Sequence, residues 1–244
     1  MKSNNFISVI VISVSFIISM LFISNAIINR NSSENIISVT GLAERDFESD
    51  LIVWKSQFTV KKMDLVNAYA DLKKQSEMIN NFLAVKGIET KSMTFSAVEI
   101  SKEYSTSYNE KGNAFSVFDG YRLTQQISIT SKDVEKIEKV SREITELINS
   151  GIEITSLSPQ YYYTKLSNLK IEMLAEASKD ALLRAQTMAQ NGDAKLGKMV
   201  GSTMGVFQIV AQNSSEDYSW GGSFNTSSKN KTASVTVKVQ YKVE

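Results

Sequence analysis

The stretch from about Leu166 to Asn191 constrains the fold more than any other part of the chain. Small and apolar residues recur in it at intervals of three and four, a period that predicts a helix with one buried stripe. The stripe consists of Leu174, Ala177, Ala181, Ala185 and Met188. Because three of these five residues are alanines, we expect the helix to pack at short range on its neighbour. The stretch predicts a scaffold and not a functional site.

An apolar run without a single charge extends from Phe6 to Ile28. About 23 helical residues span ~35 Å, which is enough to cross the hydrocarbon core of a bilayer. Lys2 precedes the run and favours a cytoplasmic amino terminus, with export of the residues after the run. The run is longer than the apolar region of most signal peptides, which favours a retained anchor, whereas Ser24-Asn25-Ala26 fits a small-x-small cleavage site.

The apolar run determines how we divide the chain into segments and where in the cell we expect it. Residues 1–28 are expected to form the membrane anchor or signal segment, residues 29–35 a polar linker, and residues 36–244 the folded domain. An anchor through residues 6–28 predicts an inner-membrane protein whose domain faces the periplasm or the exterior. The alternative is secretion to the periplasm after the signal is cleaved.

The composition excludes several kinds of chemistry. The 244 residues include neither cysteine nor histidine. Disulfides and thiolate chemistry are therefore excluded, and the commonest general base and metal ligand are missing. The net charge of +1 gives no electrostatic reason to expect binding to nucleic acid. We predict no catalytic residue, no cofactor and no metal site.

Periodicity and turn residues predict an α+β fold with the element order ββαββαβαββ after the apolar run. The predicted strands are 36–41, 51–60, 89–103, 121–130, 152–163, 198–211 and 233–243, and the predicted helices are 65–85, 132–149 and 166–191. The first two strands are expected to form an antiparallel hairpin, and residues 104–120 a polar loop. Pro159 places its part of a strand at a sheet edge or a bulge. Mixed helices and strands without strict alternation predict helices layered on a mainly antiparallel sheet.

Six segments share their order and spacing with a known family. They are IISVTGLAE, SDLIVWKSQFTV, GIETKSMTF, GYRLTQQISITSKDVEKIEKV, the stretch from LSPQYYYT through the long helix to LGKMV, and SVTVKVQYKV. Together they resemble the SIMPL-domain family of bacterial envelope proteins, which includes periplasmic immunogenic antigens of poorly defined function. The resemblance implies an exported α+β domain, homo-oligomers of the ring-like or channel-like kind, and a link to oxidative or other envelope stress. It implies no catalytic residues.

Acidic side chains are the first candidates for chemistry. Glu44, Asp46, Glu48 and Asp50 alternate along one segment. Carboxylates can bind a hard cation such as calcium, but the spacing is not that of a calcium loop, and a solvated turn is the preferred interpretation. Glu99 and Glu103 offer an acid pair, for which an exposed strand is the simpler explanation. No S-x-x-K occupies a recognisable nucleophile position.

Aromatic residues in otherwise polar segments form the predicted interaction surface, because aromatic side chains are enriched where proteins contact each other. The candidates are Tyr108, Phe115, Phe118, Tyr162, Tyr218, Trp220 and Phe224. The open alternative is that some of them fold back onto the domain.

Two functions are compatible with these features. The first is a non-enzymatic, membrane-tethered protein that assembles with copies of itself at the cell envelope. The second is a periplasmic small-molecule binder or a hydrolase that uses carboxylates or a Ser–Lys pair. The second predicts a concave pocket with convergent polar groups.

Overall fold

The computed structural model describes residues 3–30, 35–215 and 219–244, without the side chains of residues 3–7 and 29–30. The chain divides into two compact units. Unit 1 comprises Met1–Ala43, Ile171–Val206 and Ser234–Glu244, and unit 2 comprises Glu44–Lys170 and Phe207–Ala233. The predicted boundaries at residues 28 and 35 stay predictions.

The elements confirm the predicted α+β class, with helices and antiparallel sheets. The helices are α1 (Ser3–Arg30), α2 (Leu65–Val85), α3 (Val134–Glu143) and α4 (Leu166–Asn191), with short 3-10 turns at Thr90–Ser92 and Ile144–Ser150. The strands are β1 (Ile36–Glu48), β2 (Leu51–Lys62), β3 (Met93–Phe95), β4 (Glu99–Tyr108), β5 (Ala114–Ser131), β6 (Glu153–Ser156), β7 (Gln160–Tyr162), β8 (Leu196–Met204), β9 (Gln208–Ala211) and β10 (Asn230–Val243). The predicted element order was too simple, because three of the predicted strands are each two strands.

The strands belong to two sheets. One has the order β1-β10-β8, with β9 also paired to β10; the other has the order β3-β5-β2-β6, with β4 paired to β5 and β7 paired to β2. The predicted hairpin of the first two strands is therefore wrong. β1 pairs with β10, near the other end of the sequence, whereas β2 pairs with β5.

In unit 1 the backbone of α4 lies directly against β1. A Cβ atom added to Gly41 would lie 2.1 Å from the carbonyl oxygen of Ala177 and 2.5 Å from the nitrogen of Ala181. The Leu42 amide donates to Asp180 Oδ2 over 2.8 Å, and this bond, with Arg184, lowers the pKa of Asp180. The predicted short-range packing of α4 is confirmed. The predicted end of the first strand at Gly41 is wrong, because β1 continues through Gly41 to Glu48.

The buried stripe of α4 differs in part from the predicted one. Its buried members are Leu169, Met173, Ala177, Ala181, Ala185 and Ala189. Met188 is exposed and Leu174 is only half-buried. From Leu169 onward the buried residues are spaced by four, so they lie along one ridge of the helix surface.

The core of unit 2 lies between its sheet and the helices α2 and α3. The largest buried side chains include Trp54 and Phe58 of β2 and Ile127 and Ile129 of β5, which lie at alternating positions of their strands. In α3 and the turn after it, five apolar residues at helical spacing are buried: Val134, Ile137, Val140, Ile144 and Leu147. In α2 the helical spacing of Leu65, Tyr69 and Leu72 predicts one inward stripe, but Tyr69 is 55% exposed.

Helix ends and the sheet edge agree with the sequence signals. Asp64 caps α2, because its Oδ1 accepts from the Asn67 amide over 2.9 Å. Pro159 lies between β6 and β7, which both pair with the outer edge of β2. This is the edge position that a residue without a backbone N–H can occupy.

Candidate interaction surface

The most prominent surface feature of unit 2 is a two-stranded ribbon where the sequence predicted a loop. β4 and β5 pair antiparallel from Glu99 opposite Thr124 to Tyr108 opposite Ala114. β2, the other partner of β5 in this region, pairs no further than Lys62 opposite Tyr121. Residues 103–120 therefore form a ribbon in which the two strands pair with each other alone among the described strands. We call this ribbon the arm.

The tip of the arm is a turn that its sequence favours. The side-chain oxygen of Asn109 accepts from the amides of Lys111 and Asn113 over 3.0 and 2.9 Å. Gly112 has φ of 77°, a conformation that glycine adopts without strain. Asparagine at the start of a turn and glycine at positive φ are common turn chemistry, so the segment NEKGN ends the ribbon sharply.

The base of the arm is a β-bulge. Glu103 pairs with Gly120 and Tyr104 with Phe118, which leaves Asp119 without an opposite residue. Gly120 has φ of 106°, and a Cβ atom there would lie 2.7 Å from the Lys62 carbonyl oxygen. A bulge increases local twist and bends its strand, so the arm leaves the sheet at a defined point.

Four charged residues fix this base. Lys61 lies 2.6 Å from Asp119 Oδ2 and 3.1 Å from Glu103 Oε2, and Arg122 Nε also donates to Glu103. The hydrogen bonds from Arg122 and then Lys61 lower the pKa of Glu103 to about 2. A carboxyl group held ionised in this way cannot serve as a general acid near neutral pH. Glu99 and Glu103 both lie in β4, in line with the preferred interpretation as a strand.

Apolar side chains cover both faces of the arm. Directly paired residues of an antiparallel ladder point to the same face. One face carries Tyr104, Tyr108 and Phe118, continued by Ile100; the other carries Phe115 and Val117. Tyr104 and Tyr108 are 61% and 69% exposed, and Phe115 is 48% exposed. The Phe118 ring lies 5.9 Å from that of Tyr104 and 5.2 Å from that of Tyr121, which ties the exposed aromatic residues to the edge of the core.

The remaining predicted aromatic residues lie elsewhere in unit 2. Phe224 and Tyr162 have ring centroids 6.5 Å apart, and Phe224 forms a parallel bridge with Ile209. Trp220 is fully exposed. Tyr218 lies outside the described residues. The predicted surface residues are thus divided between the arm, β7 and the loop after β9. In that loop Trp220 is exposed to solvent, whereas Phe224 packs against the domain.

The most unusual polar group of unit 2 lies beneath this loop. Lys231 is 1% exposed. Its Nζ donates to the Tyr161 carbonyl oxygen over 2.5 Å and lies 5.7 Å from the centroid of the Phe224 ring. Burial lowers its pKa to about 8, and among the described residues it forms no ion pair. The one sequence feature that indicates this burial is the alternation of β10, in which Lys231 occupies an inward-facing position.

The alternating carboxylates do not converge. The Thr232 hydroxyl and the Gln212 amide donate to Asp46 and lower its pKa. Lys229 pairs with Glu48 over 2.6 Å. Burial alone would raise the pKa of Asp50, but hydrogen bonds from Thr164 lower it. Within the described chain, no three acidic side chains form a group that could hold a metal ion. Glu44, Asp46 and Glu48 lie within β1 and are exposed. The predicted exposure is therefore confirmed, but the predicted turn is wrong.

Unit 1 has an open groove of about 600 Å³ along β1 and α4. It is lined by Ser38, Val39, Thr40, Leu183, Arg184, Thr187 and Met188. Its single charged residue, Arg184, lies 2.9 Å from Asp180. Ligand sites usually combine an apolar wall with several convergent polar groups. This groove has an apolar wall, but its polar groups are only the ion-paired Arg184 and the hydroxyls of Ser38, Thr40 and Thr187.

The N-terminal helix α1 contains a 21-residue span, Ser8–Ile28, with a mean hydropathy of 2.3 and all of its side chains exposed. It is the one helix among the described residues that is long and apolar enough to cross a membrane. These features are compatible with a membrane anchor or a signal peptide, and hence with the cell envelope.

Fold and surface together define an α+β protein with an N-terminal apolar helix, two antiparallel sheets and an exposed aromatic ribbon. The family model of SIMPL, described as a protein of unknown function (DUF541), matches residues 37–243, and the chain belongs to this family. The resemblance found in the sequence is thereby confirmed. No match to the chain is found among curated proteins.

Proposed function

We propose that this protein is a non-enzymatic SIMPL-domain protein that is tethered to the membrane by α1, exported, and assembled with copies of itself at the cell envelope. The observation that carries the proposal is the arm. Its strands are regular although most of its side chains are exposed, and an isolated two-stranded ribbon is marginally stable in water. A partner that covers it would remove apolar side chains from water and satisfy its open backbone edges.

The tether is supported by the length and exposure of α1. A role in oxidative or envelope stress belongs to the same proposal and is supported by the family resemblance alone. The absence of enzymatic activity is supported by the lack of histidine and cysteine, by the ion-paired state of Glu103 and by the burial of Lys231.

Assembly is tested by light scattering coupled to size-exclusion chromatography on the full chain in a mild detergent. We expect a protein mass that is a multiple of 27.2 kDa. The variant Tyr108→Ser/Phe115→Ser removes two exposed arm residues and is expected to lower the assembled fraction. The control Ile171→Ser/Leu183→Ser removes apolar residues of α4 that are 69% and 62% exposed and should leave assembly unchanged.

A monomer at all concentrations would contradict the self-assembly. Equal loss of assembly in both variants would show that general surface hydrophobicity, and not the arm, holds the copies together.

The groove along β1 and α4 favours small-molecule binding as a second candidate function. Its apolar wall would suit a ligand with an aliphatic or aromatic body. We place it second because the groove is open and its only charge is already paired.

A further inference from the structure

The outer edge of β4 is open to pairing with another strand. β4 has ten residues and pairs with β5 along its whole length, whereas its other side faces no strand in the part of the chain that the structure describes. In an antiparallel strand the peptide groups of alternate residues point to the side away from the neighbour. A long open edge of this kind is a template for another strand.

The side chains along this edge have an internal symmetry. Ile100, Tyr104 and Tyr108 are spaced by four residues on one face, and all three are more than half exposed. With Tyr104 as the centre, the apolar positions are the same in both directions along the strand. A strand with such a pattern matches an antiparallel copy of itself.

We propose that β4 pairs with β4 of a second copy of this chain, antiparallel and about a two-fold axis that passes beside Tyr104. This inference rests on the self-assembly proposed above and assigns it an interface and a register. Such an axis stands perpendicular to the sheet and keeps each residue on its own face, so the same patch serves both copies. Ile100 then lies opposite Tyr108 of the second copy, and the two Tyr104 residues lie opposite each other.

Charge disfavours two of the neighbouring registers. In the proposed register, Lys102 faces Thr106 and Glu103 faces Ser105 of the other copy, so no like charges are directly opposed. Shifting the axis to Lys102 would place two lysines opposite each other, and shifting it to Glu103 would oppose two glutamates. Like charges directly opposite destabilise a strand pair. Charge thus disfavours the registers centred on Lys102 and Glu103. The registers centred on Ser105 and Thr106 oppose no like charges, but they leave Ile100 without an apolar partner on β4, so apolar matching favours Tyr104 over them.

The two arms would form a continuous four-stranded sheet with the order β5-β4-β4-β5. Three or more strands with an apolar face are stable where a single hairpin is marginal. Each pairing of Ile100 with Tyr108 adds an aromatic–aliphatic cross-strand contact, a kind that stabilises sheets.

Single cysteines test the register without background, because the chain has no cysteine. Directly opposite residues have Cα atoms about 4.5–5.5 Å apart, within the range of a disulfide. Under mild oxidation of the full chain in detergent, Tyr104→Cys is therefore expected to form a covalent dimer. Tyr108→Cys is the matched control: it is an equally exposed tyrosine of the same strand face, but the two copies of residue 108 would lie ~27 Å apart along the strand.

A mixture of Ile100→Cys and Tyr108→Cys chains, distinguished by a mass tag, should give the mixed dimer and little of either self-dimer. Tyr104→Lys, which opposes two lysines, should lower the assembled fraction, whereas Tyr104→Phe should retain it. Circular dichroism confirms that each variant is folded.

The outcomes separate this inference from the proposed function. Assembly by light scattering without preferential cross-linking at Tyr104→Cys would overturn the β4 pairing and leave self-assembly standing. A monomer would overturn both. Cross-linking of Tyr104→Cys to a different protein in cells, with no self-dimer, would assign the edge to that partner and overturn the self-pairing.

Discussion

At the scale of single residues, Lys231 shows how strongly position in a strand dictates burial. β10 places every second residue inward, and Ala233, Val235, Val237 and Val239 are all at most 2% exposed. Lys231 precedes them in the same series and is buried like them. A buried ammonium without a counter-charge is costly, which is why the pKa of Lys231 falls to about 8.

Replacing this lysine should stabilise the protein at neutral pH. The folded-state pKa of about 8 lies below the ordinary value of 10.5, so the unfolded chain binds the proton more tightly. Wild-type stability therefore rises as the pH increases from about 8 to about 10.5. Lys231→Met removes a penalty of about 3 kcal/mol at pH 7 and loses about 2 kcal/mol from the charged hydrogen bond to Tyr161. We expect a net gain of roughly 1 kcal/mol in the free energy of unfolding.

The measurement is denaturant unfolding at pH 7 and at pH 10. The advantage of Lys231→Met should shrink at the higher pH. Lys229→Met is the control, because Lys229 is paired with Glu48 and should show no gain. A destabilised Lys231→Met at both pH values would mean that the bond to Tyr161 outweighs the burial penalty.

At the scale of elements, the contact between β1 and α4 in unit 1 tolerates no side chain at Gly41. A methyl group there would lie 2.1 Å from the Ala177 carbonyl oxygen. Because this atom belongs to the helix backbone, α4 itself would have to move. We expect Gly41→Ala to lower the free energy of unfolding by about 3 kcal/mol, measured by chemical denaturation.

Gly201→Ala is the matched control in β8 of the same sheet. Its added methyl group would meet only the end of the Gln240 side chain, at 3.2 Å, and that side chain can rotate away. A change of less than about 0.5 kcal/mol is expected there. Equal effects at both positions would contradict the close approach at Gly41.

The helices could be predicted from the sequence because their signals are local. Asp64 caps α2, Gly151 ends the turn after α3 in the left-handed conformation, and apolar residues recur at helical spacing between such signals. The partner of β1 could not be predicted in this way. Its partner strand, β10, is almost 200 residues away in sequence, and periodicity within a segment does not identify a distant partner.

The arm was missed for a different physical reason. A strand is recognised by alternation between a buried and an exposed face, and the arm has exposed residues on both faces. Tyr104 and Tyr108 alternate with serine and threonine, a pattern that also suits a polar loop. The aromatic residues themselves are the usable signal, because aromatic side chains in a polar segment predict an interaction surface.

At the scale of the whole molecule, the orientation and retention of α1 decide where the protein works. Because the chain has no cysteine, a single introduced cysteine is the only position that a thiol reagent can label. Val85→Cys places a thiol at a position that is 86% exposed, and Ser3→Cys places one before the apolar run. In cells with an intact cytoplasmic membrane, a membrane-impermeant thiol reagent is expected to label Val85→Cys and to leave Ser3→Cys unlabelled.

Permeabilised cells supply the control. Ser3→Cys should then become labelled on the full-length chain in the membrane fraction. If the mature protein never carries a label at residue 3 and is found in the soluble extracytoplasmic fraction, the signal has been cleaved and the anchor is excluded. Labelling of Ser3→Cys but not Val85→Cys in intact cells would reverse the proposed topology.

The two tryptophans of the chain differ in their exposure to solvent. Trp54 is 1% exposed and donates its indole N–H to Ser156, whereas Trp220 is completely exposed on the loop after β9. Their fluorescence is therefore separable, since the emission of an indole in water lies at longer wavelength and is open to collisional quenchers. The protein thus carries its own optical probe of that loop, next to an internal reference that responds only when the core of unit 2 opens.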